Sequence, residues 1–77
     1  MRNFTDIHGQ EWHADVLDAS YGTMLVLFWR LGSFEVFKSP LRAGNHLSAE
    51  NEVAAFSNEE LCERLAQAEP WSQEAGK

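Results

Sequence analysis

Cys62 is the single cysteine of this 77-residue sequence, so the chain closes no disulfide within itself. Small domains of oxidising compartments are usually stapled, and a lone thiol without a staple points to a reducing cytoplasm. Bases are scarce too: six Lys and Arg stand against twelve Asp and Glu, for a net charge of −6. Binders of nucleic acid or of anionic membranes need clustered bases, so both partner classes are excluded. The longest apolar run, Met24 to Trp29, is far too short to span a bilayer. The first six residues hold no apolar stretch of the kind a signal peptide requires, and none is expected. There is no internal repeat, no low-complexity linker, no glycine-rich phosphate loop, no Cys-x-x-Cys pair and no Ser-His-Asp pattern.

What is present reads as one small globular domain over residues 1–77, with residues 72–77 as a disordered tail. Apolar residues make up 44% and charged residues 23%, enough apolar surface to offset chain entropy. The acidic excess is C-terminal: residues 48–77 carry seven acids against two bases, residues 1–47 five against four.

Two hairpins are legible. Asp6-Ile7-His8-Gly9 has Asp at the first and Gly at the fourth turn position, which pairs Asp6 with Gln10 and brings Phe4 opposite Trp12. The strand after it carries Trp12, Ala14 and Val16 on one face and His13, Asp15 and Leu17 on the other, and Asp18 to Thr23 then reads as a loop. The second hairpin joins Thr23–Leu31 to Phe34–Lys38 through Gly32-Ser33, a type II′ signature. Its register sets Leu27 opposite Lys38, Phe28 opposite Phe37, Trp29 opposite Val36 and Arg30 opposite Glu35 as an ion pair. Pro40 ends that strand. Residues 41–56 read as irregular, with Val53 and Phe56 anchored on the core. A helix follows near 58–68: Ser57 and Glu60 match a capping box, Phe56 and Leu61 a hydrophobic staple, and Pro70 stops it. The expected fold is therefore α+β, an antiparallel sheet of about four strands from two hairpins with one C-terminal helix packed on one face.

The string Phe4-x-Asp6-x-x-Gly9-x-x-Trp12, then Ser20-Tyr21-Gly22, Ser57-x-Glu59-Glu60-Leu61 and Ala68-x-Pro70-Trp71, resembles short uncharacterised bacterial proteins of about this length. The likeness covers most of the chain and rests on turn, cap and core residues. It implies a fold and carries over no activity and no functional residue.

Candidates for chemistry are few. Asp6, His8, His13 and Asp15 are the one group that could bind a metal, but zinc sites of short spacing draw on Cys or a helical His pair, and neither is present. Cys62 falls past the first helical turn beside Glu59 and Glu63, which oppose thiolate formation, so it reads as packing. No catalytic residue, metal or cofactor is assigned, and the chain reads as a non-enzyme.

The aromatics carry more information. Both faces of the second hairpin are apolar: Leu25, Leu27, Trp29, Leu31, Phe34 and Val36 on one, Met24, Val26, Phe28 and Phe37 on the other. A sheet with one helix on one face should show a wet second face. Either residues 41–56 and Trp71 wrap over that second face, or it is a surface for a protein partner or a homodimer. The expected function is a small interaction or regulatory module using Met24, Val26, Phe28 and Phe37, with Tyr21 and Trp71 at the rim. The alternative is an acidic mimic or inhibitor that meets a basic partner through Glu50, Glu52, Glu59, Glu60, Glu63 and Glu69. A small metal protein or enzyme ranks third.

Overall fold

The computed structural model describes residues 2–20, 22–30 and 32–71. Five strands, β1 (Arg2–Thr5), β2 (Glu11–Ser20), β3 (Thr23–Trp29), β4 (Phe37–Pro40) and β5 (Glu69–Pro70), form one antiparallel sheet in sequential order. Two helices, α1 (His46–Ala55) and α2 (Asn58–Gln67), lie between β4 and β5 in the chain. The α+β class holds, with one more strand and one more helix than the sequence predicts.

Local chemistry explains the first hairpin. The Asp6 N–H donates to Gln10 O at 2.8 Å and the Gly9 N–H to Asp6 O at 3.1 Å. Gly9 takes φ +81, the left-handed conformation that glycine enters without steric cost. Phe4 pairs with Trp12 as expected. β2 then runs on to Ser20, where the sequence suggests a loop after Leu17. Pairing continues through Leu17–Leu25 and Asp18–Met24, and a bulge at Asp18/Ser20 leaves only two residues before β3. Ladder partners satisfy backbone groups that a longer loop would have left to water.

The second hairpin keeps its register and loses its tip. Leu27 pairs with Lys38 and Phe28 with Phe37. The turn sits one residue earlier than a type II′ loop on Gly32-Ser33 requires: the Ser33 N–H donates to Arg30 O at 3.4 Å, with Gly32 at φ +84 in the third turn position. Trp29 and Val36 do not pair in the β3–β4 ladder. Val36 O instead accepts the Trp71 N–H at 2.8 Å, and the recruited segment becomes β5. The Arg30–Glu35 ion pair is absent among the described residues; the Arg30 guanidinium lies 5.5 Å from the Trp12 ring centroid.

Residues 46–55 form a helix where the sequence predicts irregular chain. Asn45 caps it by accepting the Ser48 N–H at 2.8 Å. Its buried stripe is small, Ala49 and Val53, and Leu47 faces outward. The Glu52 carboxylate accepts the Arg42 and Ala43 N–H groups and folds the preceding loop back onto the helix. Arg2 donates to Val53 O and Ala54 O at 3.1 and 3.0 Å, which satisfies carbonyls at the helix C-terminus. α2 begins as the sequence predicts, with both bonds of the Ser57/Glu60 capping box in place.

Both helices pack on the same side of the sheet. Val53 and Leu61 join Phe4, Trp12, Ala14, Val26 and Phe28 in one core, with Phe37, Phe56 and Leu65 packed against it. The Phe4 and Phe28 rings meet edge to face at 5.7 Å. This corrects the expected docking surface: Met24, Val26 and Phe28 are 1%, 0% and 0% exposed. The physical reason is register. Val16 pairs with Val26 and Ala14 with Phe28, so the apolar face of β2 continues into that of β3, and the helices cover both. The expected wrapping of residues 41–56 over the face opposite the C-terminal helix does not occur: their helix joins α2 on this same face.

Leu61 is completely buried and Leu47 is 73% exposed. Leu61→Ala is expected to cost ~2–5 kcal/mol, and Leu47→Ala less than ~0.5 kcal/mol. Urea unfolding measures both. Comparable losses for the two variants would contradict this assignment of the core.

Candidate functional site

The Asp6 carboxylate is the most heavily bonded side chain at the β1–β2 turn. Its Oδ1 accepts the His8 and Gln10 N–H groups at 2.8 and 2.9 Å, and its Oδ2 accepts the Trp12 indole N–H at 2.8 Å. The indole bond, then those of Gln10 and His8 with the His8 charge, hold the carboxyl below its ordinary value, against the raising effect of partial desolvation. Asp6, Gly9 and Trp12 are thus one interlocked turn, and its role is structural.

The possible metal ligands do not converge. Asp6 and His8 stay in the turn, while the His13 Nδ1 lies 2.7 Å from Asn3 Oδ1 and its ring 5.6 Å from that of Trp29. Among the described residues no three His, Cys, Asp or Glu side chains form a metal-sized group. The Cys62 thiol donates to Thr5 O at 3.3 Å and accepts from Asn58 Nδ2 at 3.7 Å. An open cleft of about 360 Å³ lies beside it, lined by Ile7, His8, Leu65 and Ala66 among others. Asp6, His8 and Glu63 line the same cleft as Cys62, whose hydrogen bonds run to Thr5 and Asn58.

The acidic candidates are dispersed, and several have work inside the fold. Glu52 holds the Arg42–Ala43 backbone and Glu60 closes the capping box. Glu50 meets His46 at 2.7 Å. Glu69 lies opposite Lys38 in the sheet, so Glu59 and Glu63 on α2 are left, with Glu50 and Glu52 on another helix.

The outer face of the sheet is different. The helices leave it bare, and strand alternation fills it from β2, β3 and β4. Leu17 sits opposite Leu25, Asp15 opposite Leu27 and His13 opposite Trp29. Beyond β3, Leu25 faces Pro40 and Leu27 faces Lys38. Leu17, Leu25, Leu27, Trp29 and Lys38 are half-buried. The Trp71 N–H donates to Val36 O, so the chain after Pro70 runs on beside Val36 at the β4 side of the sheet. Tyr21, Leu31 and residues 72–77 lie outside the described residues. The sequence shows this second apolar face without singling it out. The clue is the polar pair His13 and Asp15 on the same side of β2 as Leu17, which marks the solvent side once β2 and β3 are in register.

No known protein family matches the chain, and no curated protein or solved structure shows significant similarity to it. Among the described residues, no helix is long and apolar enough to cross a membrane.

Folding lowers the Asp6 pKa below 3.8, so its ionised form stabilises the native state above that pH and the contribution fades as pH falls through the folded value. Asp6→Asn is expected to lower the melting temperature at neutral pH. The gap to the unsubstituted protein should close in acid, below about 3.8. Thermal melts across a pH series test this, and a gap that stays constant into acid would refute the assignment.

Proposed function

We propose that this chain is a non-enzymatic protein-interaction module whose contact surface is the outer face of its sheet, centred on Leu25, Leu27 and Trp29 and flanked by Leu17, Lys38 and Trp71. One observation carries the reading: both helices lie on one face, and the opposite face holds leucines and a tryptophan on adjacent strands with no layer of described residues over them. An antiparallel sheet that ends in solvent normally alternates to polar residues on its wet side. Contiguous apolar surface of this kind marks an interaction site more often than a free surface.

The surroundings agree with that reading. The polar groups on the face, Asp15, His13, Lys38 and Glu69, ring the apolar centre, the arrangement typical of an interface core with its rim. A half-buried thiol without a disulfide fits a reducing cytoplasm. The acidic-mimic reading lacks comparable support, since its carboxylates are split between elements.

Leu27→Lys places a charge at the centre of the face without touching the core. It is expected to leave the melting temperature within a few degrees, roughly that of an ordinary surface substitution. Association, measured by light scattering and by affinity capture with tagged protein, should fall sharply. Glu59→Gln and Glu63→Gln should change nothing, and association should vary little between low and high salt. Loss of the fold in Leu27→Lys, or association that ignores it, would remove the outer face as the contact surface.

A further inference from the structure

We infer that β2 accepts an added strand along the stretch that runs on beyond β1, and that the occupant is an extended, basic peptide segment of a partner. This site is separate from the outer face and does not rest on it.

The direction of each backbone group along β2 follows from bonds at its start. Gln10 O accepts the Asp6 N–H. By antiparallel alternation, even-numbered residues of this strand turn their N–H and C=O towards β1, and odd-numbered ones towards β3. β1 agrees, because Thr5 turns both groups outward to Asn58. β1 is four residues long and pairs with Glu11 to Ala14 of the ten-residue β2. Val16 and Asp18 therefore face the line of β1 after β1 has ended. The Val16 N–H turns back to the carboxylate of its neighbour, Asp15 Oδ1, at 2.9 Å. The Val16 C=O and the Asp18 N–H have no partner among the described residues. The bulge at Asp18/Ser20 ends the regular stretch.

The other outward positions are better covered. Asn58 takes the Thr5 N–H and C=O, which leaves Asn3 isolated on β1. At the opposite edge, β5 is two residues long, and Pro70 gives its outward side no donor. Beyond β5, Pro40 has no N–H, and its C=O accepts the Arg64 guanidinium at 3.2 Å. No such cover lies over Val16 and Asp18.

Geometry selects the kind of occupant. Outward backbone groups at every second residue match another extended backbone. The added strand continues the line of β1 and, like β1, runs antiparallel to β2. One set of its side chains falls on the outer side beside Leu17. The other set enters a groove of about 320 Å³ between β2 and α1, lined by Arg2, Asp15, Val16, Glu50 and Val53 among others. Charge then selects the residue type. Asp15, Glu50 and Asp18 stand along this stretch against Arg2 and, beside Glu50 at 2.7 Å, His46. The Arg2 guanidinium is engaged with Val53 O and Ala54 O. A lysine or arginine in the groove meets carboxylates, and an acidic side chain is repelled by them.

The probes are two synthetic heptapeptides, Thr-Val-Lys-Val-Lys-Val-Thr and its counterpart with Glu in place of Lys, followed by amide NMR of the labelled protein. In the free protein the Asp18 amide should exchange with solvent far faster than that of Leu17, which points to β3. The lysine peptide should shift the Val16, Leu17 and Asp18 amides and slow exchange at Asp18. The glutamate peptide should bind about tenfold more weakly or worse. In the antiparallel register the lysines stand opposite Val16 and Asp18, with their N–H groups towards β2. A single N-methyl group on a lysine should therefore cost about tenfold in affinity, and on a valine less than about twofold. Asp18→Pro removes the outward N–H and leaves the β2–β3 ladder its donors, so the fold should persist and binding should be lost. Leu27→Lys should leave peptide binding unchanged, which lets this site and the outer face fail separately. Protection of the Asp18 amide in the free protein overturns the open edge. The absence of peptide shifts at millimolar concentration, shifts confined to Leu25, Leu27 and Trp29, or N-methylation that costs the same at both residue types overturns the added strand. Equal binding of the glutamate peptide overturns the basic partner.

Discussion

Side chains of a β-strand alternate between faces, so one register between neighbouring strands assigns every side chain of both. Here that register is Val16 opposite Val26 and Ala14 opposite Phe28. It joins the apolar side of β2, already anchored to β1 through Phe4 and Trp12, to Met24, Val26 and Phe28 of β3. The resulting surface is the one that α1 and α2 cover. A slip of one residue would turn one strand over against the other, either burying Asp15 and His13 against the helices or exposing Phe28. Core, helix placement and bare face are three consequences of the same pairing.

Small size sharpens those consequences. A domain of this length supports two layers and a single core, and α1 and α2 share the one sheet face it can cover. Ala14 on β2 and Ala49 on α1 are both fully buried, which lets α1 lie close to the sheet. The arginines also join the two layers. Arg2 satisfies the end of α1, Arg64 reaches Pro40 O and lies over the Phe56 ring, and Arg30 lies over Trp12. Each uses its aliphatic stem and planar head together.

The features legible in the sequence are those set within a few residues. The Asp6–Gln10 turn, the Phe4–Trp12 pair, the Ser57/Glu60 cap and the Phe28–Phe37 register all follow from short spacing and turn chemistry. α1 is not legible, because its inward stripe is only Ala49 and Val53 while Leu47 points to solvent, so its periodicity is faint and its stability comes from tertiary contact. The hairpin tip departs from its local pattern because Val36 has a competing partner in Trp71, far along the chain, which short spacing does not reveal. The candidate surface is inverted for a related reason. Both faces of β3 are apolar, and the residues that choose between them, His13 and Asp15, act through a pairing whose connection reads as a six-residue loop when it is two. The loop length, more than any property of Met24 or Phe28, decides which face is buried.

The treatment of edges and face belongs to one constraint on association. An unpaired strand edge offers a contact that repeats, since each added copy presents a fresh edge, and growth of that kind leads to open assemblies. Asn58 takes the Thr5 N–H and C=O at one edge, and β5 at the other is two residues long and contains Pro70. A sheet face behaves oppositely: once two copies cover each other across a two-fold, both apolar surfaces are consumed and nothing is left to propagate. The same β2–β3 register that buries the core also sets Leu17 beside Leu25 and Asp15 beside Leu27 on the other side of the sheet.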